Sequence, residues 1–202
     1  MSITGFLSGH AAAAVHAAAL LVLAWPLITC AADPAAGLQK AQVCIACHGT
    51  DGSSAIAVIP SLAGQPAQFV ATQLLMFREG KRKDAQMSPF AANLSNADLN
   101  NIAAYFAAQK LTLPDIKPDP ATTEAGARIA KQFNCVQCHG ATLMGQQHIP
   151  RLAGQQHEYL KTQLRGFKAS TRFDMDGQMT SAAQALSDAD IETLANYLAG
   201  IR

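Results

Sequence analysis

The chain has 202 residues, half of them hydrophobic and only 14% charged, with 15 Lys and Arg balanced by 14 Asp and Glu. A net charge of +1 excludes a nucleic-acid-binding protein, because neutralising phosphates takes a marked basic excess. The first 32 residues differ from the rest, holding no Asp, Glu, Lys or Arg, and Ala11 to Ala24 is interrupted only by His16. With small residues around Cys30, Ala31 and Ala32, residues 1–32 read as an export signal cleaved near Ala32. Two alternatives stay open. Ala11 to Ile28 is just long enough for a retained membrane anchor, and Leu27-Ile28-Thr29-Cys30 resembles a lipoprotein site, although Thr29 counts against it.

The next elements read as helices. The spacing predicts a helix over Ala35 to Cys47, closing on Cys44-Ile45-Ala46-Cys47-His48. Positions i, i+3 and i+4 share a helix face, so two thiols form thioethers to a haem while the adjacent imidazole reaches its iron. A zinc site assembled from two Cys pairs, or a redox dithiol, is the competing reading. Pro60 follows in a loop. It either presents its carbonyl to the His48 ring, fixing tautomer and ring plane, or simply stops helix formation. A second helix is predicted over Gln65 to Glu79, and a last one starts at Ser95, where Ser95 and Asp98 have capping-box spacing. Tyr105, with Leu99, Ile102 and Phe106 around it, reads as packing. Arg78, Lys81, Arg82 and Lys83 cluster before Met87, either as solvated surface or as a docking site for an acidic partner. Pro114, Pro118 and Pro120 then make residues 114–121 a stiff connector.

Beyond this connector the pattern starts again, with Cys135, Cys138 and His139 as a second Cys-x-x-Cys-His. From Ile59 and from Ile149, 11 of 24 positions are identical; from Met87 and from Met179, 9 of 23 are. The chain is therefore an internal repeat of haem motif, Pro loop, helix, methionine and helix. Ser187 and Asp190 repeat the capping box, Tyr197 repeats Tyr105, and Pro150 repeats Pro60. A histidine after both Cys pairs favours covalent haem over zinc. Met87 follows His48 by 39 residues and Met179 follows His139 by 40, which makes them the matched sulfur donors for a second axial position. Met175, four residues before Met179, is the rival, but its counterpart by that spacing is Lys83. Met76 and Met144 read as core or surface filling, and His148 and His157, unmatched in the repeat, as exposed. Residues 33–113 and 122–202 thus form two haem domains, small enough that a buried porphyrin supplies apolar mass their cores lack. The fold class is all-α, with no alternating strand pattern.

The motifs C-I-A-C-H-G and C-V-Q-C-H-G, the paired P-x-L-A-G-Q loops, the paired Q-M-[ST] loops and the paired L-S-x-A-D helix starts resemble the dihaem cytochrome c4 family over residues 35–202. The resemblance implies two tandem class I cytochrome c domains facing each other across a pseudo-twofold axis, with haems near the interface. It implies two covalent haem c groups on Cys44, Cys47, Cys135 and Cys138. His48, Met87, His139 and Met179 would be the axial iron ligands, with Pro60 and Pro150 orienting the histidines. It further implies an electron carrier rather than an enzyme, exported to the bacterial periplasm or the outer face of the cytoplasmic membrane. There it would take electrons from a quinol-oxidising complex or another donor and pass them to a terminal oxidase. Two alternatives belong to other classes. One is the haem subunit of a flavocytochrome-type dehydrogenase such as sulfide dehydrogenase. The other is a dihaem peroxidase, which needs an iron that can open, whereas both halves offer methionine.

Overall fold

The computed structural model describes Ser2, residues 31–113 and residues 119–202. Helix α1 runs over Pro34–His48, with the Asp33 carboxylate accepting from Ala35 N–H at 2.8 Å and proline at its first position. α2 spans Ala67–Arg78, α3 Met87–Ala91 and α4 Asn96–Ala107. The second half repeats the order as α5 (Pro120–Gln132), α6 (Cys135–His139), α7 (His157–Lys168), α8 (Gln178–Gln184) and α9 (Asp188–Gly200). No strand occurs among the described residues, only one isolated bridge between Gln146 and Ile149. Both capping boxes form: Ser95 with Asp98, and Ser187 with Asp190, each serine hydroxyl accepting from the aspartate N–H.

Helix packing stays within each half. In the first, α4 lies against α1 and α2; in the second, α9 lies against α5 and α7. Two separate apolar cores result, one around Val70, Leu99, Ile102 and Phe106, the other around Ile129, Leu160, Phe167 and Leu194. Burying a side chain of this size contributes about 1.5–3 kcal/mol, and in the first half most of the buried core residues lie on α4, the helix carrying the capping box. The crossing that brings α1 onto α4 is unusually close: a Cβ on Gly37 would stand 2.0 Å from the Asn101 carbonyl oxygen. Gly126 plays the same part on α5, where a Cβ would stand 2.0 Å from Tyr197 Cβ. These glycines set how deeply the N-terminal helix of each half seats.

Three local departures from the sequence reading have physical causes. The helix leading to Cys135 is not one piece: it breaks at Phe133 and Asn134, the latter at φ +57°. Seven residues separate Gly37 from Cys44 but nine separate Gly126 from Cys135. Two extra residues would turn an unbroken helix by about 200°, so the break restores the facing of the haem motif, and asparagine tolerates the left-handed step. The Met87 and Met179 segments are short helices rather than loops. Finally, Pro120 is the first residue of α5 behind the Asp119 cap, not connector; Pro114 and Pro118 lie outside the described residues. The export signal, anchor and lipoprotein readings of residues 1–32 also fall almost wholly outside them. Among the described residues, no helix is long and apolar enough to cross a membrane.

Candidate haem sites

In each half α1 or α6 delivers the Cys-x-x-Cys-His face to the edge of a core. His48 and His139 are 5% and 4% exposed, and each ring bonds through Nδ1 to a proline carbonyl, Pro60 or Pro150, at 2.8 Å. A carbonyl only accepts, so Nδ1 carries the proton and Nε2 keeps its lone pair. Burial pushes both imidazoles below the usual histidine value, partly opposed by the proline bond, which favours the neutral rings. Nε2 of neither ring has a hydrogen-bond partner among the described residues. Cys44 and Met87 pack against the first core, and Cys135 and Met179 against the second. Cys47 and Cys138 are exposed.

This donor set fits covalent haem. Burial pushes the Cys44 and Cys135 thiols up, with the neighbouring cysteine adding to it, which disfavours the free thiolate that dithiol exchange requires. No group of three or more His, Cys, Asp or Glu that could hold a metal ion forms among the described residues, so the two Cys pairs do not assemble into one zinc site. His148 stands half-exposed, 3.9 Å from Asp176. His157 is not free surface: its two nitrogens meet Glu158 and Glu192, each at 2.9 Å. Met76 is buried in packing and Met175 is 72% exposed.

Several residues that shape these sites went unread in the sequence. Asp84 accepts from Met87 N–H at 2.8 Å and from Gln86 N–H at 2.9 Å; Asp174 accepts from Met179 N–H at 2.8 Å and Thr180 N–H at 3.2 Å. Each carboxylate winds the first turn of a short methionine helix. The pair is matched in the repeat by the shared Arg-x-Asp, which was the available signal. It also moves the alignment gap to after Asp174, so the counterpart of Met175 is Ala85 and not Lys83.

The halves join through their P-x-L-A-G-Q loops by reciprocal bonds between matched residues. Gln155 clasps the Ser61 backbone, accepting from its N–H at 2.8 Å and donating to its carbonyl at 2.9 Å. Gln65 does the same to Arg151, both bonds at 3.0 Å. Phe69 N–H donates to the Gln147 carbonyl and Tyr159 N–H to the Ala57 carbonyl, again matched pairs. Such mutual pairing is an isologous, twofold-like interface. It lies directly behind the histidine supports, since Ser61 and Arg151 follow Pro60 and Pro150. Arg82 turns into this interface rather than joining a docking patch: it bonds Gln73 at 2.6 Å, Gln163 at 3.0 Å and the Tyr159 hydroxyl at 3.2 Å. Arg78 is tied to Glu79 and to the Leu94 carbonyl, leaving Lys81 and Lys83 exposed.

A helical chain with two such duplicated sites is a c-type cytochrome with two haem-attachment domains. Comparison agrees: the family described as "Cytochrome c" matches residues 123–202, and "Cytochrome C oxidase, cbb3-type, subunit III" matches residues 31–106. The chain is 38% identical to "Cytochrome c4" of Pseudomonas aeruginosa, over 85% of this chain and 90% of that one. It is 36% identical to "Thiosulfate dehydrogenase electron acceptor" of Thiomonas intermedia, over 82% of this chain and 81% of the relative. The crystal structure of reduced cytochrome c4 from Pseudomonas stutzeri superposes with a TM-score of 0.78 at 34% identity, covering 85% of this chain and all of that one. The chain belongs to the cytochrome c4 family. It is an electron carrier with two covalent haem c groups.

Proposed function

We propose that this chain is a periplasmic carrier in a respiratory chain whose two haems exchange electrons inside the molecule. In this reading residues 33–113 and 122–202 are its two domains. Cys44, Cys47, Cys135 and Cys138 hold the porphyrins, while His48 with Met87 and His139 with Met179 fill the iron positions. Haem iron with both axial positions filled supplies one-electron transfer and leaves no open coordination place for oxygen or peroxide. The protein's part is to hold neutral Nε2 donors in fixed planes through Pro60 and Pro150, to keep Met87 and Met179 seated through Asp84 and Asp174, and to exclude water around them.

The observation that carries intramolecular exchange is the pair of glutamine clasps. The peptide group between Pro60 and Ser61 accepts from His48 on one side and donates to Gln155 on the other. The peptide between Pro150 and Arg151 likewise joins His139 to Gln65. Two independent carriers on a tether would need neither. Rapid mixing with a reductant that docks on one half tests the reading: equilibration between haems is expected to be independent of protein concentration, and a purely bimolecular second phase overturns it.

A terminal oxidase as acceptor and a quinol-oxidising complex as donor complete the proposal. The relative named as an electron acceptor of thiosulfate dehydrogenase favours a second reading, in which a dehydrogenase is the donor. Co-purification of a dehydrogenase with the holoprotein would support the second, and stoichiometric reduction by the quinol-oxidising complex the first.

A further inference from the structure

The segment that carries Met179 differs from its counterpart by a pair of added residues. Three positions separate Asp84 from Met87 but five separate Asp174 from Met179, so Asp176 and Gly177 have no match in the first half. In the first half one carboxylate, Asp84, accepts from both Gln86 N–H and Met87 N–H. In the second half two carboxylates divide this work. Asp176 Oδ1 accepts from Gln178 N–H at 3.3 Å, while Asp174 accepts from Met179 N–H and from the N–H and hydroxyl of Thr180. The other oxygen of Asp176 faces His148 Nε2 at 3.9 Å, each side chain about half-exposed. His148 stands in the loop that ends at Pro150, the support of His139. Its matched residue is Val58, which carries no charge. Among the described residues, this bridge between proline loop and methionine helix has no equivalent in the first half.

Burial would raise the Asp174 carboxyl, but the bonds from Met179, Asp176 and Thr180 hold it below its usual value, so it is ionised near neutrality. Asp176 adds a second carboxylate beside it, and two like charges at the start of one short helix repel. Arg172 interacts with Asp174, which leaves His148 as the cation that meets Asp176. The rest of the His148 loop, residues 145–150, carries no charged residue. Neither does α2 before Arg78, the first-half helix whose Phe69 N–H meets the Gln147 carbonyl. Histidine ordinarily changes charge between about pH 5 and about pH 8, so this bridge strengthens as His148 takes up a proton. The imidazolium then fixes positive charge at the base of the helix that holds Met179. Positive charge beside a haem iron favours the reduced state, which carries one positive charge less than the oxidised one.

We propose that His148 is a proton site coupled to the second haem alone, so that reduction of that iron draws a proton onto the His148 ring. One electron enters the iron from the donor, and part of a proton passes from water to the imidazole. The inference rests on reading His139 and Met179 as the axial ligands and goes beyond it. Its consequence is directional: at lower pH the electron shared between the two haems moves toward the second half.

The test uses the holoprotein and its H148V, D176N and H148K variants. The near-infrared band of methionine ligation is read first at both irons; its absence at the second refutes the ligand reading, and the proposal with it. Redox titrations between about pH 8 and about pH 5 then follow hyperfine-shifted haem methyl signals, which distinguish the two irons. The second midpoint is expected to rise more than the first as pH falls. H148V, which installs the residue of the first half, and D176N are each expected to remove this excess. H148K is expected to keep the second midpoint at its acid value up to pH 8. Equal slopes for the two haems in the wild type, or an excess that survives in H148V, overturn the proposal. A wild-type measurement guards against misfolded variants: the His148 ring protons, titrated by NMR in each redox state, should give a higher midpoint in the reduced protein. The same midpoint in both states overturns the coupling.

Discussion

Gln155→Leu separates a structural clasp from surface decoration. Gln155 is 3% exposed and Ser61 2% exposed. The substitution keeps volume while removing the acceptor for Ser61 N–H, the donor to the Ser61 carbonyl, and the acceptor for Gln156 N–H. Two backbone groups of Ser61 are then buried without partners, at about 1–3 kcal/mol each. The leucine recovers roughly 1 kcal/mol through apolar burial, leaving a net loss of about 1–5 kcal/mol. Equilibrium unfolding in guanidinium chloride measures this loss. The location of the damage is the sharper criterion. Gln155 belongs to the second half, yet it supports the peptide that holds His48, so the ligand-sensitive visible band of the first haem should change while that of the second stays. Gln65→Leu should do the reverse. A cost below about 0.5 kcal/mol, or a disturbance at the haem of the mutated half alone, would refute the clasp.

Met179→Ala should open the second iron to cyanide or carbon monoxide and lower its potential, whereas Met175→Ala, at a side chain 72% exposed, should do neither; ligand-binding spectra distinguish them. Gly126→Ala forces a methyl group to within 2.0 Å of Tyr197 Cβ and should cost about 1–3 kcal/mol or more, read as a lowered melting temperature. Asp98 and Asp190 are held below the usual carboxylate range, chiefly by the bonds from Ser95 and Ser187. A depressed folded value means that their stabilisation is present above the unfolded value near 4 and is lost as pH falls through the folded one. The D98N/D190N double variant should therefore lose less stability than wild type between pH 6 and pH 3, measured by thermal unfolding at each pH.

How much the sequence discloses depends on whether a feature is local. Capping boxes, the Cys-x-x-Cys-His faces and the helices around them involve residues within four positions of one another, so their chemistry is written contiguously. Duplication extends that reach: it singles out Met87 and Met179 among six methionines, although they lie far from the histidines. The helix break at Asn134 was hidden, because it answers a two-residue difference between Gly126 and Cys135 that has meaning only against the α5–α9 crossing. Asp84 and Asp174 were within reach through the shared Arg-x-Asp, but an aspartate in a loop has many ordinary uses. The clasps were not readable at all. Gln65 and Arg151 stand 86 positions apart, and nothing in a conserved-looking Q of P-x-L-A-G-Q says that it serves the other copy of the same loop.

The repeat departs from symmetry at one place where symmetry itself forbids a copy. Arg151 and Ser61 occupy matched positions, and the Arg151 guanidinium joins the carbonyls of Ala63 and Ala153, which are also matched. A group bonded to two equivalent atoms of an isologous interface lies on its twofold axis. Only one such group fits there, because a second arginine from position 61 would need the same volume and would bring like charge to the same buried point. A serine at 61 leaves the axis to Arg151, and its own hydroxyl turns inward to accept from Ser54 N–H at 3.1 Å. A homodimer of one haem domain would have to place identical residues at both positions. Fusing the two copies into one chain is what allows them to differ, so the axis can carry a single buried cation midway between two otherwise equivalent histidine supports.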